Sequence, residues 1–176
     1  LGASNLKDLR YDWIWRKTLP TGFLNAKRAP LKAHESVLIF YQGSPIYNPQ
    51  VTMKAPRKVG GKTTSSNYGH CNDVEQKLST IAYPWDVLEW GSESEKLHPT
   101  QKPVGLCEYL IRTYTDEGMT VLDNCMGSGT TGVAAVQAGR SFIGIERDPE
   151  YYRIAVDRIN AAERKERGHT TLEAFL

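Results

Sequence analysis

The chain has little cysteine. Cys71, Cys107 and Cys125 are its only three, too few and too scattered for a disulfide framework or a four-ligand zinc site. No apolar run approaches the roughly 18 residues that a membrane-spanning helix needs. A signal-peptide pattern is missing at the start, and neither an internal repeat nor a low-complexity tract interrupts the sequence. These absences exclude a stapled secreted scaffold and a helical membrane protein, and they lead to the expectation of a reducing cytoplasm. What remains is ordinary for a globular domain: 176 residues, 40% hydrophobic and 24% charged. Net charge is also small, +2, but it is unevenly placed. Residues 1–70 carry 11 Lys and Arg against 3 Asp and Glu, a balance of +8, whereas residues 71–176 carry 11 against 17, a balance of −6. A basic half suits phosphates and an acidic half suits a cationic small molecule, although solvated surface charge also produces such a split.

The most informative segment is Val121 to Gly132 (VLDNCMGSGTTG). Val121 and Leu122 are strand residues, and the glycines that follow allow a sharp turn with the backbone close to a ligand. Thr130 to Ala138 then has helical character, with Val133, Ala134, Val136 and Ala138 available for packing and Gly139 placed as a left-handed cap. Amides at such a helix start lack intrahelical partners and face whatever the turn holds. A second short strand, Ser141 to Ile145, ends at Glu146, 23 residues beyond Asp123. An acid at the end of the second strand of a βαβ unit is placed to bind a ribose diol.

Gly127, Gly129 and Gly132 spell GxGxxG, the dinucleotide fingerprint. The charge pattern opposes that assignment, because Asp123 at the strand end repels a pyrophosphate and attracts a cofactor bearing an ammonium and a sulfonium. Just upstream, His98 to Pro103 (HPTQKP) sets two prolines around a Thr, a Gln and a Lys and opens a helix at Pro103. Val104, Cys107, Leu110, Ile111 and Tyr114 give that helix one apolar stripe.

Taken together, His98 to Pro103, the run from Asp123 through Thr131 and the strand Phe142 to Glu146 resemble the DNA amino-methyltransferases of the β motif order, which act at adenine N6 or cytosine N4. The resemblance implies a Rossmann-like α/β fold and S-adenosylmethionine as cofactor. It implies that Asp123 and the backbone of Gly127, Ser128 and Gly129 face the methionine part, with Thr130 beside them. Glu146 would hold the ribose hydroxyls, and the residues His98 to Lys102, with His98, Thr100 and Lys102 foremost, would close over the amino-acid end. Members usually have Asp-Pro-Phe before the glycine turn, where this chain has Asn124 and Cys125. No metal site is expected.

The same resemblance extends upstream. Tyr11 to Arg16 alternates as a strand in which Trp13 and Trp15 are core candidates, and Ser36 to Tyr41 is a short apolar strand. The loop between them is similar to the segment that these enzymes hold near DNA, which makes Asn25, Lys27 and Arg28 candidate phosphate or base-edge contacts. Residues 43–96 carry many Pro and Gly breaks and are expected to be a loop-rich target-recognition insert, with Lys54, Arg57, Lys58 and Lys62 as its DNA-binding cations and Tyr68 and His70 as rings able to stack. Tyr83 to Trp90 is expected to restore order and pack back on the sheet. Residues 97–176 form the expected cofactor-binding part, closed by a helix from Pro149 with Tyr152, Ala155, Val156 and Ile159 on one face.

The family's catalytic signature, Asp, Asn or Ser followed by Pro-Pro and an aromatic, does not occur in these residues. In the β order it lies upstream of Tyr11, so no catalytic residue is assigned. The expectation is a single, partial methyltransferase domain over 1–176 with an incomplete sheet, binding cofactor weakly and inactive alone. Adenine N6 is the favoured acceptor and cytosine N4 the alternative. Double-stranded DNA is the expected partner, and a homodimer and a cognate restriction enzyme are further partners that the resemblance admits. A noncatalytic DNA-binding remnant and a nicotinamide-dependent oxidoreductase remain as competing readings.

Overall fold

The computed structural model describes residues 2–61, 64–65, 69–70 and 74–173. Lys62, Tyr68 and Cys71 lie outside the described residues. The chain divides into two compact units, one built from residues 1–48 and 85–176 and the other from Pro49–Pro84.

Among the described residues the larger unit contains two small sheets and three α-helices. β1 (Leu9–Thr21) pairs antiparallel with β2 (Lys32–Phe40), and its other edge pairs parallel with β7 (Val87–Trp90), which gives the order β2-β1-β7. β8 (Thr120–Asp123) and β9 (Ser141–Gly144) form a parallel pair joined through α2 (Thr130–Gln137), a right-sized βαβ unit. α1 (Val104–Tyr114) connects the two regions, because it is apolar on more than one side. Leu106 packs with Trp13, Trp15 and Leu88, while Ile111 packs with Ala134, Ala135 and Ala138 of α2 and its cap. The single stripe expected from the sequence included Ile111 but omitted Leu106, since the alternative face is visible only once the β1 tryptophans are opposite it. Both indoles are 4% exposed and satisfied, Trp13 Nε1 donating to the Tyr114 hydroxyl at 2.6 Å and Trp15 Nε1 to the Trp90 carbonyl at 3.0 Å. α3 (Pro149–Glu173) starts where expected, with Asp148 Oδ1 accepting from the amides of Glu150 and Tyr151.

One face of the β8–β9 pair is covered by helices and the other is open. Val121 and Phe142 pack against the α1–α2 cluster, whereas Leu122, Ile143 and Ile145 are 62%, 55% and 55% exposed. An open, apolar sheet face agrees with the incomplete sheet expected from the sequence.

The smaller unit departs from the loop-rich expectation. β3 (Thr52–Gly61) and β6 (Val74–Ala82) form an antiparallel ladder from Thr52↔Ala82 to Gly61↔Val74, with β4 (Thr64–Ser65) and β5 (Gly69–His70) paired beyond it. The breaks at Pro56 and Gly60 do not interrupt the strand, because a two-stranded ladder absorbs them at register shifts between Met53 and Arg57 and between Val59 and Gly61. Lys54, Arg57 and Lys58 are exposed along β3. Tyr83 belongs to this unit, while Val87 to Trp90 does return to a sheet as β7.

Candidate cofactor pocket

The glycine turn takes the course that its residues dictate. β8 ends at Asp123, and the chain bends through Gly127 and Gly129, both at positive φ (53° and 79°), before α2 begins at Thr130. Gly129 is pressed against α3: a Cβ there meets Ala155 Cβ at 2.8 Å and Cα at 2.9 Å. Gly127 faces the other way, beneath the His98 ring, which lies 3.6 Å from the equivalent position.

A cavity of about 300 Å³ lies between this turn and the segment upstream of α1. Asp123, Gly127, Ser128 and Thr130 form one wall, and His98, Thr100 and Lys102 form the other. Seven of the nine residues singled out for the cofactor therefore converge on one space. Gly129 and Glu146 do not line it. Gly129 sits behind the turn, against Ala155. Glu146 holds the turn from below: Oε2 accepts from Gly127 N at 2.9 Å and Oε1 from Asp148 N at 2.9 Å. These two backbone donors, Asp148 first, hold its carboxyl below the usual range. The Gly127 amide is thus engaged by Glu146 rather than free, and Gly129 N donates to Met126 O within the turn.

Asp123 is oriented by its neighbours. Oδ1 accepts from Cys125 N at 3.0 Å and Oδ2 from the Thr131 hydroxyl at 2.7 Å. Gln101, within the His98 to Lys102 run, also lines the cavity, as does Thr131, which was not singled out in the sequence; the adjacent threonines after the turn were a signal, since Asp123 and Thr131 are brought together by the first turn of α2. Gln101 staples the upper wall, with Oε1 accepting from Leu97 N at 2.9 Å and Nε2 donating to Glu95 O at 3.2 Å. His98 accepts from Thr100 N at Nδ1 and packs edge-on against Tyr151, ring centres 4.3 Å apart. Cys107 lies beneath, and burial pushes its thiol up to about 11, which removes it as a nucleophile at neutral pH.

Lys102 has a role that the sequence did not announce. Its ammonium lies 3.0 Å from Glu35 Oε2, while Lys17 lies 2.6 Å from Glu35 Oε1, and both ammoniums stand over the Trp15 ring. Burial alone raises the Glu35 carboxyl, but the two lysines outweigh it and leave its pKa below the usual 4.5. A lowered carboxylate stabilises the fold above its unfolded pKa and loses that contribution as pH falls through the folded value. Glu35→Gln is therefore expected to cost about 1–2 kcal/mol near neutrality, between the ranges for exposed and buried pairs. Thermal melts across pH should show the wild-type advantage fully present above the ordinary carboxylate value of 4.5 and shrinking progressively as pH falls below it through the lower folded pKa. An advantage independent of pH would refute the ion triad.

Of the DNA candidates in the larger unit, Asn25, Lys27 and Arg28 all lie exposed at the β1–β2 hairpin tip, with Asn25 ending a short 3-10 helix, Phe23–Asn25. Phe23 and Leu24 beside them are 76% and 85% exposed. Among the described residues no cluster of metal-ligating side chains occurs, and no helix is long and apolar enough to cross a membrane.

Comparison with known proteins places the chain among DNA methylases. The methylase YubD of Escherichia coli (strain K12) is 44% identical over 79 residues, 45% of this chain and 35% of that protein. The type II methyltransferase M2.DpnII of Streptococcus pneumoniae is 53% identical over 75 residues, 43% of this chain and 26% of its own length. The chain thus spans about a third or less of these curated relatives. The crystal structure of the M1.HpyAVI–SAM complex superposes with a TM-score of 0.57 at 29% identity, covering 86% of this chain and 62% of that one. The fold is accordingly the Rossmann-like α/β fold of methyltransferases, represented here by part of its sheet. A model of the DNA methylase family, N6/N4 methyltransferases, matches residues 5–157, nearly the whole of the larger unit and all of the pocket, and the chain belongs to that family.

Proposed function

We propose that this chain supplies the S-adenosylmethionine pocket and part of the DNA-facing surface of a DNA amino-methyltransferase. The observation that carries the reading is the convergence of Asp123, the 127–131 turn and the His98–Lys102 segment on one cavity. The donor set fits the cofactor: a carboxylate for its cationic groups, a lysine for its carboxylate, and hydroxyls and an amide for hydrogen bonds. The same carboxylate opposes the pyrophosphate of a dinucleotide. When bound, the cofactor supplies an activated methyl group on a positive sulfur. Asp123, already fixed by Cys125 N and Thr131, stabilises positive charge at the turn; Ser128 and Thr130 shape the floor; His98, Thr100 and Lys102 close the upper wall. We assign Glu146 to the ribose as well as to the turn, Oε1 and Oε2 each retaining a lone pair for a hydroxyl.

The acceptor is an exocyclic base amine, with adenine N6 favoured on the Thr21 to Asn25 and Leu31 to Glu35 segments, and the base must leave the stack to reach the methyl. Orientation then supplies most of the acceleration. The Pro-Pro-aromatic signature that polarises the amine is not among these residues, so this chain alone binds cofactor weakly and does not methylate DNA. Asn25, Lys27 and Arg28, together with Lys54, Arg57, Lys58 and Lys62, contact double-stranded DNA. A homodimer, a companion restriction enzyme and a cytoplasmic location belong to the same proposal.

Titration calorimetry with S-adenosylmethionine and with a nicotinamide dinucleotide, beside DNA binding across salt, tests this. Expected are binding of the sulfonium compound only, and a log-log salt slope that falls by about 2 units in Lys27→Ala/Arg28→Ala. Dinucleotide binding alone would replace the reading by an oxidoreductase, and DNA binding without either ligand would leave a noncatalytic remnant.

A further inference from the structure

Ser128 is 3% exposed, yet it lies at the junction of three separate pieces of chain. Its carbonyl accepts from Arg158 Nη1 at 2.5 Å, and its hydroxyl lies 3.0 Å from the same nitrogen and 3.3 Å from Gln101 Oε1. Arg158 Nη1 also reaches the Thr130 hydroxyl at 3.4 Å. Gln101 in turn binds Leu97 N and Glu95 O. A continuous polar path therefore runs from α3 through the glycine turn to the opposite wall of the cavity. Arg158 projects one helical turn beyond Ala155, the residue on which Gly129 rests, so α3 supports the turn twice: by contact at Gly129 and by hydrogen bonds at Ser128. Among the described residues no ion pair to this half-buried guanidinium occurs; Glu93 and Glu95 act on it through longer-range electrostatics, and its direct contacts are the hydrogen bonds to the turn.

We propose that Arg158 is a positioning residue for the cofactor pocket, holding the Ser128 carbonyl and hydroxyl so that the turn and the Glu95–Lys102 wall keep the spacing that the amino-acid end of the cofactor requires. The inference rests on the cofactor assignment above. Arg158 does not line the cavity; it acts through Ser128. The ligand groups served by that turn are the methionine groups, so a loosened turn penalises ligands that carry them and spares a ligand that ends at the thioether.

Arg158→Met keeps the aliphatic stem and removes the donors, Arg158→Lys restores one donor, and Ser128→Ala removes the hydroxyl link while keeping the carbonyl. Calorimetric Kd values for S-adenosylmethionine and 5′-methylthioadenosine, with melting temperatures, decide the matter. Arg158→Met is expected to weaken the former about tenfold, the usual effect of losing a charge-assisted hydrogen bond, and the latter less than about threefold. Arg158→Lys should recover part of the loss, and Ser128→Ala should weaken S-adenosylmethionine about threefold. Equal losses for both ligands, or none, would overturn the proposal. If Arg158→Met does not fold, the same comparison in Arg158→Lys and Ser128→Ala decides it. Wild-type protein that fails to bind S-adenosylmethionine would overturn the cofactor assignment, whereas wild-type binding with unaffected variants overturns the Arg158 role alone.

Discussion

Gly129→Ala is expected to lower cofactor affinity more than about 100-fold and to destabilise the chain by roughly 2–5 kcal/mol. Two independent costs combine. At φ 79° an alanine sits in the left-handed region, which costs about 1–2 kcal/mol. The new methyl also meets Ala155 Cα at 2.9 Å and its carbonyl oxygen at 3.2 Å, atoms of helix backbone that cannot rotate away, for which overpacking costs of about 1–3 kcal/mol are typical. Relief requires the turn to lift from α3, and that moves Ser128 and Thr130 within the cavity wall. For a domain of this size the melting temperature should fall by roughly 4–20 °C. Gly118→Ala is the control: its φ is 80°, but nothing lies within 4 Å of the new Cβ, so strain acts alone and ligand binding stays intact. If Gly129→Ala melts and binds no worse than Gly118→Ala, the packing of the turn on α3 is not what shapes the pocket.

The second large effect is electrostatic. Asp123→Asn keeps the shape of the side chain and an acceptor oxygen for Cys125 N or Thr131, and removes the charge. A unit charge at about 4 Å is worth about 1 kcal/mol in water and about 4 kcal/mol at an effective dielectric of 20. For a pocket open on one side an intermediate value corresponds to roughly 10- to 100-fold in affinity. The loss should be larger for S-adenosylmethionine than for S-adenosylhomocysteine, whose sulfur is neutral. Equal losses for the two compounds would show that Asp123 serves geometry and not charge, and an unchanged Kd for both would remove it from the site.

Much of this site was legible in the sequence because its determinants are local. Positive-φ glycines, the strand that ends at Asp123 and the helix that begins at Thr130 fall within a dozen residues, where backbone sterics act without help from the rest of the fold. The HPTQKP segment was legible for the same reason. Glu146 is legible in the sequence as an acid at a strand end, but its contact with Gly127 N depends on β9 lying parallel to β8 at the register Asp123↔Gly144. Within the segment 43–96, expected to be loop-rich, the proline and glycine breaks do not prevent strands, because a paired ladder tolerates them at its irregular positions.

By itself the sequence determined the turn and the strand-to-helix geometry around it, since each follows from residue types within a short span of chain, while the resemblance to the family was carried by separate motifs spread from His98 to Glu146. Only the tertiary structure decided that Lys102 pairs with Glu35, that Arg158 supports Ser128, and that α1 is shared by two apolar clusters. These partners are 67, 30 and about 90 residues apart, and contacts at such separations are fixed by the joint packing of whole elements, for which no local pattern carries a signature.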